Sequence, residues 1–235
     1  MVLVLWFFEF GYLLQHIATI FQIHKIQSSR NTEGISLETN VFFLLASVCR
    51  IIWMWDSMLA TFYLTYLELL IGLASLVYII KIYIQFSSGY DYLTVESEKP
   101  IYLNFYVILV AIFVLSFFFH PGSKNDYYLS LQMFVSMNIF SECLGLLPQF
   151  FIIVKSKESG NLSAYYIIFL AVARFFRLFF WIKMYIDGSK FMSLIIADVL
   201  HTGFLSVFIY SASKKWYNTS IPQFNPEADR KKKVF

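Results

Sequence analysis

The chain reads as an all-α integral membrane protein with seven transmembrane helices, on three observations. Of its 235 residues 59% are hydrophobic and only 14% charged, with a mean hydropathy of +0.65. A soluble domain carries about 25% charged residues. Seven runs of predominantly apolar residues approach the length needed to cross a bilayer, about 20 residues in a helix. They lie near 2–23, 38–55, 63–86, 101–119, 127–153, 163–184 and 191–211. The basic residues of the connecting segments fall overwhelmingly on one side. The composition and spacing exclude a soluble domain of any size.

The first run contains Glu9, Gln15 and His16 and lacks a basic start and a small-residue cleavage site, so it is expected to stay as the first helix. Cys49 and Cys143 both fall inside runs and have no CxxC spacing, which makes them packing residues. With the N-terminus outside, the cytosolic segments hold Lys25, Arg30, Lys81, Lys99, Lys155, Lys157, Lys214, Lys215, Arg230 and Lys231 to Lys233. The other side holds Lys124, Lys183 and Lys190. Short Lys- and Arg-rich loops stay in the cytosol, so the expected orientation is N-out and C-in.

A repeat is visible at a shift of 127 residues without gaps: Gln22 falls on Gln149, Ser29 on Ser156, Ser36 on Ser163, Phe42 on Phe169, Ala46 on Ala173 and Arg50 on Arg177. Each half reads apolar helix, Gln, basic loop, polar turn, apolar helix, Arg. The expected architecture is two parallel three-helix bundles, helices 1–3 and 5–7, joined by helix 4. The seven-helix domain spans 1–211, with halves at about 2–86 and 129–211 and a linker helix at 101–119. Residues 212–235 form a basic cytosolic tail. Parallel repeats of this kind occur in transporters. Pro148 frees a backbone carbonyl, and Gln149 beside it is placed to repair that loss locally.

Ionisable residues inside the spans cost about 2.5–3.5 kcal/mol each on insertion scales, so each needs a partner or a function. They are Glu9, His16, Arg50, Glu68, Glu142, Arg174, Arg177, Asp198 and His201. Arginine forks suit a carboxylate, so three arginines facing one lumenal cavity would make an anion site. Glu142 is expected to neutralise one of Arg174 and Arg177, leaving net positive charge. The alternative is an internal ion-pair network. Asp198 and His201, three apart on one helix, are placed to pair. No nucleophile with its base, metal cluster or phosphate loop is present, so neither an enzyme, a cofactor nor a nucleic-acid partner is expected. The 27 Phe and 16 Tyr serve lipid contact and packing.

The segments "KIQSSRNTEGIS" (25–36), "ECLGLLPQ" (142–149) and "YYIIFLAVARFFRLFFW" (165–181) resemble the KDEL receptors, the ER lumen protein-retaining receptors. The likeness runs over about 8–56 and 127–185, and weakly into 194–210. It implies the PQ-loop architecture shared with SWEET transporters, and a receptor that binds the C-terminal retrieval peptides of escaped ER proteins and returns them in COPI vesicles. Arg50, Arg174, Glu142 and Trp181 match positions the receptors use around their ligand, while Arg177 stands where the receptors have a tyrosine. Four other such positions read Phe8, Trp53, Phe180 and Met184, where the receptors are polar or charged. The helix-1 histidine of the receptors aligns with Gln15, which leaves His16 as the candidate pH sensor. Lys232 and Lys233 have the spacing of a dilysine signal for COPI.

Three functions follow as expectations. The first is a retrieval receptor of the ER and Golgi membranes, with its N-terminus lumenal. The second is an accessory subunit packed against neighbouring subunits of a membrane complex, in another organelle such as the mitochondrial inner membrane. The third is a PQ-loop transporter of small solutes. Membrane lipid is a partner in all three.

Overall fold

The computed structural model describes residues 2–55, 63–87, 100–120, 131–155, 164–188 and 192–220. All regular structure among them is helical: α1 Val2–Ser29, α2 Leu37–Met54, α3 Tyr63–Phe86, α4 Phe105–Phe118, α5 Leu131–Leu144, α6 Leu147–Lys155, α7 Ala164–Ile186 and α8 Met192–Ser220. Three of the helical segments, Leu37–Met54, Tyr63–Phe86 and Leu131–Lys155, are long and apolar enough to cross a membrane by length and composition. Large apolar side chains face outward along the helices, among them Leu70 at 71%, Val110 at 61% and Phe175 at 66% exposure. So much outward apolar surface needs lipid to cover it. The protein is an α-helical membrane protein.

The helix ends follow local chemistry. Ser36 caps α2, its hydroxyl accepting from Thr39 N at 3.2 Å, and Asn104 caps α4 through Tyr106 N at 3.0 Å. Proline cannot donate to a helix ladder and its ring clashes with the carbonyl four residues back. The fifth span therefore breaks at Gly145–Leu146, and α6 starts afresh with Pro148 in its first turn, where no N–H is needed. Gly145 belongs to the break, because a Cβ there would collide with Phe42 of α2. α1 and α8 run past the apolar runs to Ser29 and Ser220.

α1 lies against α3 and α7, α2 against α3 and α5, and α8 against α7, α5 and α6, while α4 packs on α5. The core is one large cluster around Phe8, Phe42, Trp53, Ile112 and Trp181, with two smaller ones. Cys49 and Cys143 are free thiols buried in these interfaces.

Gln149 does not repair its own helix. Its Nε2 donates to Gly34 O and its Oε1 accepts from Ser36 N, both at 2.7 Å, so it ties α6 to the turn that starts α2. Local proximity to Pro148 is irrelevant to this role; a buried amide with one donor and one acceptor matches the orphan backbone pair of that turn.

Candidate functional site

The intramembrane charges form two networks. In the first, Arg50 Nη2 of α2 lies 2.7 Å from Glu68 Oε2 of α3 and 3.3 Å from Glu9 Oε1 of α1. His16 of α1 contacts the other oxygen of Glu68. Gly72 of α3 leaves room for that histidine, since a Cβ there would strike its ring. In the second, Glu142 of α5 receives two arginines of α7. Arg174 Nη2 donates to Oε2 at 2.7 Å, Arg177 Nη1 donates to Oε1 at 2.9 Å, and Arg177 Nη2 lies 2.6 Å from Oε2. Asp198 of α8 accepts from Arg174 Nη1 at 3.3 Å, and Gln15 Nε2 of α1 donates to Glu142 Oε1 at 3.3 Å.

Tyr12 joins the two. Its ring carries the Arg50 guanidinium at 3.5 Å and that of Arg177 at 4.3 Å, while its hydroxyl accepts from Asn138 Nδ2 at 3.0 Å. Cations over an aromatic face are attracted by its quadrupole, most strongly where water is excluded. Arg50, Arg174, Arg177, Glu142, Glu9, Glu68, His16 and Asp198 are all at most 2% exposed. The second network balances two arginines with two carboxylates. The first has one arginine and two carboxylates, with His16 against one of them.

These pairings differ from the expected ones. Glu142 binds both Arg174 and Arg177, because a carboxylate has enough lone pairs for two forks. Asp198 takes the remaining charge of Arg174 and makes no hydrogen bond to His201, whose ring nitrogens have no partner among the described residues. Arg50 sits apart from Glu142, with its own carboxylates. The three arginines face internal acids and are closed in, where a cavity open to the lumen was expected. Trp181 is in the wall beside them, 5.0 Å from Phe180 and 6.3 Å from Phe8 between ring centroids.

The positions where the receptors are polar also come together. Phe8 packs on Phe180 at 4.6 Å and Trp53 at 6.3 Å between centroids, and Met184 packs against the same cluster. Phe8, Trp53 and Phe180 form one aromatic plug, with Met184 packed against it. Lys232 and Lys233 lie outside the described residues, as do Lys99, Lys124, Lys157 and Lys190. Tyr12 and Asn138 belong to the site with Gln15 and carry no sequence signal of their own, since such residues are ordinary in apolar helices. One signal was available for Gln15: it and Glu142 are separated by the repeat shift of 127, and they touch.

The family model for the ER lumen protein retaining receptor matches residues 31–184. ER lumen protein-retaining receptor 2 of Gallus gallus is 27% identical over 199 residues, 84% of this chain and 88% of the relative. ER lumen protein-retaining receptor 3 of Mus musculus is 26% identical over 201 residues, 85% and 88% of the two chains. The ER lumen protein-retaining receptor of Plasmodium falciparum is 23% identical over 217 residues, 90% and 93% of the two. This chain belongs to the ER lumen protein-retaining receptor family.

Proposed function

We propose that the protein is a non-enzymatic receptor of the ER and Golgi membranes that binds C-terminal retrieval peptides of lumenal proteins, with Arg50, Arg174 and Arg177 as its carboxylate-binding groups. Family membership supports the kind of partner. The observation that carries the reading is the convergence of Arg50 and Arg177 on one tyrosine ring, which brings arginines from both halves of the chain to one place. Arg177 already holds Glu142 through both terminal nitrogens, the two-pronged manner suited to a chain terminus, while Arg50 and Arg174 each reach two separate carboxylates. A peptide carboxylate enters by taking the place of an internal one. An internal carboxylate displaced from its arginine while still buried favours its protonated form, so binding tightens as pH falls.

The helix contacts support two three-helix bundles: α3 packs on α1 and α2 as α8 packs on α5 and α7, and α1 meets α7 as α2 meets α5. In this reading helix 4 is the linker, the N-terminus is lumenal, and Lys232 and Lys233 present a COPI signal in the cytosol. The functional test is retention of a lumenal reporter ending in a retrieval tetrapeptide, in cells stripped of their own receptor. Retention by wild type and its loss with Arg50→Ala or Arg174→Ala are expected. Secretion of the reporter despite correct localisation of the wild-type protein refutes the reading.

The aromatic plug of Phe8, Trp53 and Phe180 favours a second reading. It fills the place where the family resemblance puts polar ligand contacts, and it would suit a family member that holds its partners by helix packing alone, as an accessory subunit.

A further inference from the structure

The geometry points to a binding site for an anionic phospholipid headgroup at the end of the α1–α3 seam, formed by Arg30 and Lys81 around the Gln27–Tyr78 pair. α1 and α3 run in step, since His16 meets Glu68 and, further along both, Gln27 Nε2 donates to Tyr78 Oη at 2.7 Å. Ile23, Ile26, Ile79 and Ile82 pack together beside that pair. Arg30 is the residue after the end of α1, and Lys81 is one turn beyond Tyr78. Both are exposed, and among the described residues neither has an acidic partner. The carboxylate of nearby Glu33 faces Asn31 Nδ2 at 3.5 Å.

Two independent observations point to a ligand there. Arg30 has φ +51°, the one non-glycine residue with positive φ among those described. Its N–H bonds Ile26 O at 2.7 Å, so it stands where a helix ordinarily ends in glycine, and a Cβ in that conformation costs about 1 kcal/mol. At the end of α7 the chain does use glycine, Gly188 at φ +97°. An arginine where glycine is favoured is a strained position of the kind that clusters at ligand clamps. Second, Val77, Lys81 and Ile84 share one face of α3, and Val77 and Ile84 are 55% and 66% exposed. Lys81 therefore stands in a lipid-facing stripe, where its stem lies along acyl chains and its ammonium rises to the headgroups. The phosphate it meets there is a lipid's. Lys25, Lys155 and Lys214 are exposed at helix ends on the same side. At the other, Lys183 is held by Asp187 at 2.7 Å.

The full-length protein in phosphatidylcholine nanodiscs, with and without phosphatidylinositol, tests the site by native mass spectrometry of the lipids it retains. Wild type is expected to retain phosphatidylinositol over phosphatidylcholine. Arg30→Gly and Lys81→Gln should each weaken that preference about fivefold, the effect of one basic residue near an anionic surface. Arg30→Lys should keep it. Arg30→Gly should melt no lower than wild type, because glycine fits the conformation. No preference in wild type, or unchanged retention in both variants, overturns the assignment. Displacement of the lipid by soluble inositol phosphate at equal concentration also overturns it, by making free phosphate the ligand.

Discussion

Replacing Glu142 by Gln removes one negative charge and keeps the side-chain volume. Two guanidinium groups at 1% and 2% exposure then share only Asp198, which reaches Arg174 at 3.3 Å and does not bond Arg177. Breaking a buried ion pair by removing one partner costs about 3–5 kcal/mol, because the survivor is left as an uncompensated buried charge. Total stability is only about 5–15 kcal/mol, so Glu142→Gln is expected to remove roughly a fifth or more of it. For a chain of this length each kcal/mol lowers the melting temperature by about 2–4 °C, which gives a fall of roughly 6–20 °C. The structure supplies its own reporters: Cys49 and Cys143 are 2% and 4% exposed and react with a thiol dye only on unfolding. Adding Arg177→Gln to Glu142→Gln should restore part of the loss, since it removes the cation left alone. A fall under about 2 °C for the single variant, at most about 1 kcal/mol on the same scale, would refute the pairing described here.

Three more outcomes follow from other contacts. Gln149→Leu leaves Ser36 N–H and Gly34 C=O without the partners they have at 2.7 Å, at a cost of about 1–3 kcal/mol each, and faster amide exchange across residues 34–37 measures it. Tyr12→Phe loses only the bond to Asn138, whereas Tyr12→Leu also loses two cation–ring contacts, so its melting temperature should fall further; equal falls would deny the ring its role. Gly72→Ala drives a methyl into the His16 ring and should destabilise by about 1–3 kcal/mol, while Gly203→Ala, with nothing within 4 Å, should be neutral or stabilising, both read from thermal melts.

Apolar run length located the helices because the bilayer demands it, and the ionisable residues stood out against those runs for the same reason. Arg50, Glu142, Arg174 and Arg177 were therefore visible before any coordinates. Their partners were not. Which carboxylate an arginine meets depends on helix rotation and packing, and neither periodicity nor spacing reports it between helices, so Glu9 and Glu68 were not assigned to Arg50. Tyr12 was hidden because a tyrosine in a membrane helix has many ordinary uses. Gln149 was misread in its reach: adjacency to Pro148 pointed to local repair, while its partners lie 113 and 115 residues away. Helix ends were misplaced where chains stay helical beyond the hydrocarbon, as α1 does to Ser29 and α8 to Ser220. The aromatic plug is a further case. Phe8, Trp53, Phe180 and Met184 each depart from the family resemblance, and that they pack together depends on helix rotation, which spacing does not report.

The claim that Arg50, Arg174 and Arg177 serve a receptor for C-terminal peptides meets its most direct test in equilibrium binding of a labelled retrieval tetrapeptide to the purified wild-type protein, as free acid and as amide, at neutral and mildly acidic pH. Saturable binding of the acid, tighter at the lower pH and abolished by amidation, is the expected result. No binding of either form at either pH, by protein whose buried thiols show it to be folded, would contradict the receptor reading and leave the two ion networks as the internal fastening of the helices.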